Sequence, residues 1–255
     1  MESSWVDFTS MVTIVVANTG TQYQAHKHVL CDKSPFIRAC LKEHTKEAQE
    51  QTINIKEWDD DTAMRTLITW MYQGRPILRI PVSILDATTD DSKNMRDSIQ
   101  QRLVSLYILA DRFVIRELKN SIVDCFLAVL DYEASRISLD AACTLFEHGP
   151  ADCKLSSLLS CWAADGMSYM LKKPSPRLLD KEEKRLLQQL ADSPSVARFV
   201  LPRLLDGTLL KEWKLCDYHE HDTEEDSERC EGKFDWVELE DGTKANQTSM
   251  EDIEI

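Results

Sequence analysis

Apolar positions change their spacing along the chain, and the changes mark out its elements. From Met11 to Val16, Val12, Ile14 and Val16 alternate with Met11, Thr13 and Val15, a period of two that predicts a strand with cover available on both faces. Asn18-Thr19-Gly20 follows with residues that tolerate positive φ, and Gln22 to Ala25 returns as the second arm of a hairpin. Ser34 before Pro35 reads as an N-cap and first helical residue, with Phe36, Ile37, Cys40 and Leu41 on one helical face. Thr52 to Ile55 alternates again. Asp59, Asp60 and Asp61 then bring negative charge to the positive end of a helix striped by Met64, Leu67, Ile68 and Met71, which ends near Gly74.

The rhythm is lost from Ile80 to Gln101, where polar and charged residues such as Asp86, Asp90, Asp91 and Asn94 predict a long surface loop. It resumes in two helical stripes, Leu103, Leu106, Tyr107 and Ala110, then Leu118, Ile122, Cys125, Phe126 and Val129. Strands come first and helices after, which favours an α+β fold, a small sheet flanked by helices, over a wound parallel sheet. Residues 133–214 carry helical stripes alone: Leu139, Ala142, Cys143 and Phe146; Leu155, Leu158, Leu159 and Trp162; and, after an Asp180 cap with Glu183 three residues on, Leu186, Leu187 and Leu190. Pro174 and Pro176 break this all-helical extension in two.

Charge redraws the C-terminal end. Of 255 residues, 44 are acidic and 30 basic, a net −14, and Leu215 to Ile255 alone holds 15 acids against 3 bases. The expected organisation is a folded body to residue 214 and a largely solvated acidic tail over 215–255. A balance this acidic repels a phosphate backbone, so general nucleic-acid binding is not expected. No run of 18 apolar residues and no secretory signal is found, which predicts an intracellular protein of cytoplasm or nucleus with no membrane contact. Eight cysteines at mostly apolar, helical positions read as reduced and buried, and the 7 glycines form neither phosphate-binding cradle, GxGxxG or GxxxxGK[ST].

The hairpin followed by Gln24-Ala25-His26-Lys27-His28-Val29-Leu30-Cys31-Asp32-Lys33-Ser34-Pro35-Phe36, together with Leu103 to Asp111 and the helix from Ile115, resembles the BTB/POZ domain, and most of all the stand-alone BTB proteins common in fungi. The resemblance covers about Asp7 to Asp131, within a first domain at 1–132 into which the 80–101 loop is inserted. It implies a protein-interaction module, not an enzyme, that self-associates as a homodimer. Trp5, Val6 and Phe8 either cap the hairpin of their own subunit or meet a two-fold partner, and in the second case the resemblance places His28 and Phe36, on the helices Lys27 to Cys31 and Ser34 to Leu41, opposite them. Some relatives are substrate adaptors that bring a substrate protein to a cullin-type ubiquitin ligase, and the matching contacts here would fall in Lys42 to Gln51 and near Tyr107 to Phe113. A regulator of transcription acting through partners is the alternative, since no basic element for direct DNA contact exists. One position departs from the family: Met11 stands where many relatives have an Asp near the basic residue that is Lys27 here, which puts a charged pocket in doubt.

Candidate chemistry is sparse. His26 reads as a residue that fixes the chain's entry into a helix, His28 and Cys31 lack an orienting third group, and Gly166-Met167-Ser168 fails as a nucleophile elbow because Met170 replaces the second glycine. The sharpest signal is Cys216, His219, His221 and Cys230, four of the chain's 14 Cys and His residues within 15 positions, where an even spread would put about one. Two thiolates and two imidazoles have the softness and tetrahedral count of a structural zinc site, though the spacing matches no standard zinc module. Farther on, Phe234 to Leu239 sets aromatic and aliphatic residues in an acidic context and reads as a short strand packing back on the body or as a linear motif for a basic partner, the first being favoured, and Thr243 to Ile255 is expected to be disordered.

Overall fold

The computed structural model describes residues 9–74, 78–80, 90–131, 137–150, 152–172, 184, 188, 192, 194–206, 218–228, 230 and 237–239. The chain divides into two compact units, Met1–Ile77 with Ser105–Lys119, and Leu78–Val104 with Asn120–Ile255.

In the first unit the hairpin forms as its turn residues require. β1 (Met11–Val16) and β2 (Gln22–His26) pair antiparallel, with Val12 opposite Ala25 and Ile14 opposite Tyr23. Gly20 sits at φ +71° in the turn. β3 (Thr52–Ile55) adds in parallel to the other edge of β1, giving the order β2-β1-β3. Only one face of β1 is sealed: Val12, Ile14 and Val16 are buried, whereas Met11 is exposed and Thr13 and Val15 are half-buried. The double cover expected of this strand is therefore not realised, because the sheet packs its helices on the even-numbered side chains.

Four helices join the sheet: α1 (Lys27–Lys33), α2 (Pro35–Cys40), α3 (Lys46–Glu50) and α4 (Asp61–Gln73). Each of the last three starts on a side-chain cap, with Ser34, Thr45 and Asp60 accepting from the backbone N–H three residues on. Gly74, at φ +68°, ends α4 and donates to the carbonyl of Trp70. Asp61 also accepts from the hydroxyls of Thr19 and Thr21, tying the hairpin turn to the start of α4. Leu30, Ile37, Met64 and Leu67 form the unit's core together with Tyr107, Leu109, Phe113, Ile115 and Leu118.

The long loop expected over 80–101 is overturned from Asp90 onward, where α5 (Asp90–Arg112) is helical without a break. Residues 94–98 are exposed or half-buried, Met95 among the exposed, and the run of buried side chains begins at Ile99 and Gln100. An exposed helical stretch needs no apolar stripe, so hydrophobic periodicity could not reveal it. α6 (Arg116–Asp131) follows after a tight turn.

Within the second unit, buried Gln100 accepts from the backbone N–H of Ser138 at 2.7 Å, and Ser138 caps α7 (Leu139–His148) through Ala141. α8 (Lys154–Leu171) packs on α9 (Pro194–Asp206), and Phe146 of α7 stacks on Phe199 of α9 with ring centroids 4.6 Å apart. The helices predicted at 139–146 and 155–162 are present, whereas the Asp180 cap lies outside the described residues. Beyond α9 come α10 (Glu224–Glu228) and β5 (Val237–Leu239), and β5 pairs in parallel with β4 (Leu78–Ile80). The expected packing-back of the 234–239 segment is thus seen at its last three residues. Thr243 to Ile255 lies outside the described residues.

Cys125, on α6, is wholly buried, and its thiol is pushed up to about 12 by desolvation first and by neighbouring Asp124 second. The folded chain holds this proton while the unfolded chain, with the ordinary thiol pKa of 9.0, releases it. Rising pH therefore favours unfolding, by about 1.4 kcal/mol per pH unit above the unfolded value. Urea titrations of the wild type and of Cys125→Val should diverge by about 1.4 kcal/mol in total between pH 8 and pH 10. Parallel pH dependences would show that the thiol is not so held.

Candidate functional site

Two places in the structure gather residues beyond what packing needs. One is built on α6 and the irregular segment after residue 217. Asn120 and Asp124 lie one helical turn apart, so both side chains face the same way. Asn120 holds residue 220 by both of its amide groups: Nδ2 donates to the carbonyl of Glu220 at 3.0 Å, and Oδ1 accepts from its N–H at 2.8 Å. Adjacent in sequence, His219 sets Nε2 2.8 Å from Asp124 Oδ1 and Nδ1 3.1 Å from Cys230 Sγ. The His219 and Asp124 side chains are each 5% exposed. Burial raises the carboxyl's pKa, with the hydrogen bond and charge of His219 pulling the other way. An ionised Asp124 carboxylate only accepts, so Nε2 donates to it and Nδ1 is the ring nitrogen that faces the sulfur.

His221 completes the group. One ligand atom from each of His219, His221 and Cys230 lies within 4.8 Å of the others, and the two imidazoles stand edge-on with centroids 6.1 Å apart. The structure thus brings together three of the four residues singled out by spacing, while Cys216 lies outside the described residues. The tail expected over 215–255 is not wholly solvated: Tyr218 and His219 are buried, and 237–239 is a paired strand. Net charge misled here because the acids Asp222, Glu225 and Asp226 are exposed while Tyr218 and His219 are buried. Sequence reading also missed Asn120 and Asp124, which look like ordinary polar positions on an amphipathic helix about 95 residues away.

The second place is an exposed apolar face of the first unit. Phe36, on α2, is 38% exposed and sets its ring edge-on to that of Phe113 at 5.8 Å. Val114, next to Phe113, is 53% exposed. It closes α5 with a paired hydrogen-bond pattern, Val114 N–H to Asp111 O and Ile115 N–H to Ala110 O, both 2.9 Å. That motif puts its penultimate residue in the left-handed region, and Val114 lies there at φ +56°, where glycine is usual and a β-branched side chain is strained. His28, on α1, is half-buried. Trp5, Val6 and Phe8 lie outside the described residues. In the segment from Tyr107 to Phe113, only Asp111 and Arg112 reach the surface, the rest being core.

The candidates for catalysis take structural places. His26 Nδ1 lies 2.7 Å from the hydroxyl of Tyr72, which also accepts from the His26 N–H at 2.8 Å. His26 thus ties the hairpin's exit to α4 through both its backbone N–H and its ring. Burial pushes the Cys31 thiol up, against the pull of Lys27 and Arg38, the opposite of an activated nucleophile. Met11 pairs with His26 across the sheet and is 38% exposed. A cleft of about 340 Å³ between α8 and α9 is lined by Arg198, Arg203, Asp152 and Asp206 among others; its two cations and two anions cancel, so it has no charge preference for a ligand. Among the described residues, no helix is long and apolar enough to cross a membrane.

Compared with known proteins, residues 2–124 match the family model of the BTB/POZ domain. No curated protein matches the chain.

Proposed function

We propose, from a chain whose residues 2–124 form a BTB/POZ domain and which therefore carries a protein-interaction module, that this protein pairs with a second copy of itself and presents a bound partner to a cullin-type scaffold. The observation that carries the pairing is Val114. A left-handed β-branched residue costs about 1–2 kcal/mol of backbone strain, and here it also leaves an apolar side chain exposed to water, next in sequence to Phe113, whose ring meets that of Phe36. Strain and exposure in one residue are repaid when that residue is covered in a complex. An isologous contact centred on Phe36 and Val114, with His28 at its rim and Trp5, Val6 and Phe8 contributed from the N-terminus, supplies the apolar centre such an interface needs.

Light scattering on the purified chain tests the pairing. The wild type should give the mass of two chains and Phe36→Asp that of one. Val114→Gly should stabilise the isolated chain by about 0.5–1 kcal/mol, since relief of strain exceeds glycine's entropy, yet weaken association. A wild type that is monomeric at tens of micromolar, or a dimer indifferent to both substitutions, removes the interface. For the scaffold role, the segment containing α3, Lys42 to Gln51, is the family-based candidate contact. A pull-down with a purified cullin N-terminal region should capture the chain at micromolar concentration, and no capture leaves self-association as the function.

A further inference from the structure

We propose that His219, His221 and Cys230 bind a soft divalent cation of the zinc class, with Asp124 as the residue that positions His219, so that the metal fastens the segment from Tyr218 to Cys230 onto α6. The proposal concerns the second unit alone and stands whether or not the first unit dimerises.

Four observations converge on it. The donor set is one thiolate and two imidazoles, the ligands zinc prefers over the oxygen-rich sets of calcium or magnesium. The donor atoms already lie within 4.8 Å of one another, while bond lengths of about 2.0–2.3 Å to a tetrahedral centre require separations of about 3.3–3.6 Å, so small side-chain rotations close the site. His219 is held from behind by a buried carboxylate on the ring nitrogen that does not face the sulfur. That carboxylate–imidazole arrangement fixes the tautomer and raises the basicity of the ligating nitrogen. Finally, Asn120 clamps the backbone of Glu220, midway between the two histidines, so the site is organised before any ion arrives.

Binding is written as an exchange. In the metal-free state Cys230 Sγ and His219 Nδ1 lie 3.1 Å apart, and the cation takes the place between them as the thiol loses one proton to solvent. Thiolate and Asp124 carboxylate together balance the divalent charge, with the imidazoles neutral. Exposed Asp222, Glu225 and Asp226 raise the cation's local concentration without ligating it.

The rival account is that the histidine–thiol contact is a plain hydrogen bond. Cobalt(II) separates the two. The reduced, chelator-stripped full chain should take up about one equivalent of cobalt, giving a thiolate charge-transfer band and the ligand-field bands of a tetrahedral ion, both bleached by zinc. Cys230→Ser should abolish the charge-transfer band. Asp124→Asn leaves the three ligands in place and should keep the band shapes while weakening affinity about 10–100-fold. Zinc should raise the melting temperature of the wild type and leave that of His221→Ala unmoved. Uptake below about a tenth of an equivalent, or a charge-transfer band that survives Cys230→Ser, overturns the site. Unchanged affinity in Asp124→Asn overturns the positioning role. The wild-type cobalt spectrum and melting shift decide the matter even if a variant fails to fold.

Discussion

Replacing His219 with Leu should cost the metal-free chain about 3 kcal/mol of stability, measured by urea unfolding in the presence of a chelator. Removing the imidazole leaves the Asp124 carboxylate buried on α6 without the partner now 2.8 Å away. Breaking a buried pair from one side costs about 3–5 kcal/mol, and protonation of the orphaned carboxyl keeps the cost at the lower end. Asp124→Leu should be similarly harmful. The double substitution Asp124→Leu with His219→Leu should cost well under the sum of the two, because neither group is then left desolvated and unpaired. Strict additivity would show that the two side chains act independently. The chelator keeps this result separate from the metal proposal, since the pair exists without an ion.

In the first unit the largest single effect should come from Ser34→Ala, at about 2–3 kcal/mol. Ser34 is fully buried and its hydroxyl works twice. It accepts from the Ile37 N–H at 3.1 Å as the cap of α2, and it donates to the carbonyl of Phe113 at 2.6 Å, bridging 79 residues of chain. Loss of the cap alone costs about 1 kcal/mol. The stranded carbonyl adds its own desolvation, about 1–2 kcal/mol. A loss under about 1 kcal/mol would mean that the Phe113 carbonyl finds another donor, and would sink the double role.

The elements legible in the sequence were those whose two sides differ in burial. β1, β3 and α4 each seal one face and expose or half-expose the other, so their periods appear in the residues. Ser34-Pro35 and Gly74 announced helix ends through chemistry that other residues cannot supply. The start of α5 was illegible for the converse reason: a turn of helix that buries little has no period to show. The metal candidates were found by composition, because four Cys and His residues crowd positions 216–230. Their supports were not, since Asn120 and Asp124 acquire meaning only when the fold brings a distant segment beside them. Val114 was equally silent, its interest residing in a backbone angle that no residue type reveals.

The Asn120 clamp bears on where the polypeptide can be shortened. Charge alone draws the line before residue 215, and a fragment cut there would look tidier by composition, nearly neutral and without its acidic stretch. Yet it would strip α6 of the residues that engage its carboxamide and its hidden carboxylate, about a hundred positions downstream. The trimmed product trades solubilising surface for an uncovered helix flank, so what resembles a dispensable appendage behaves as part of the protein's wall.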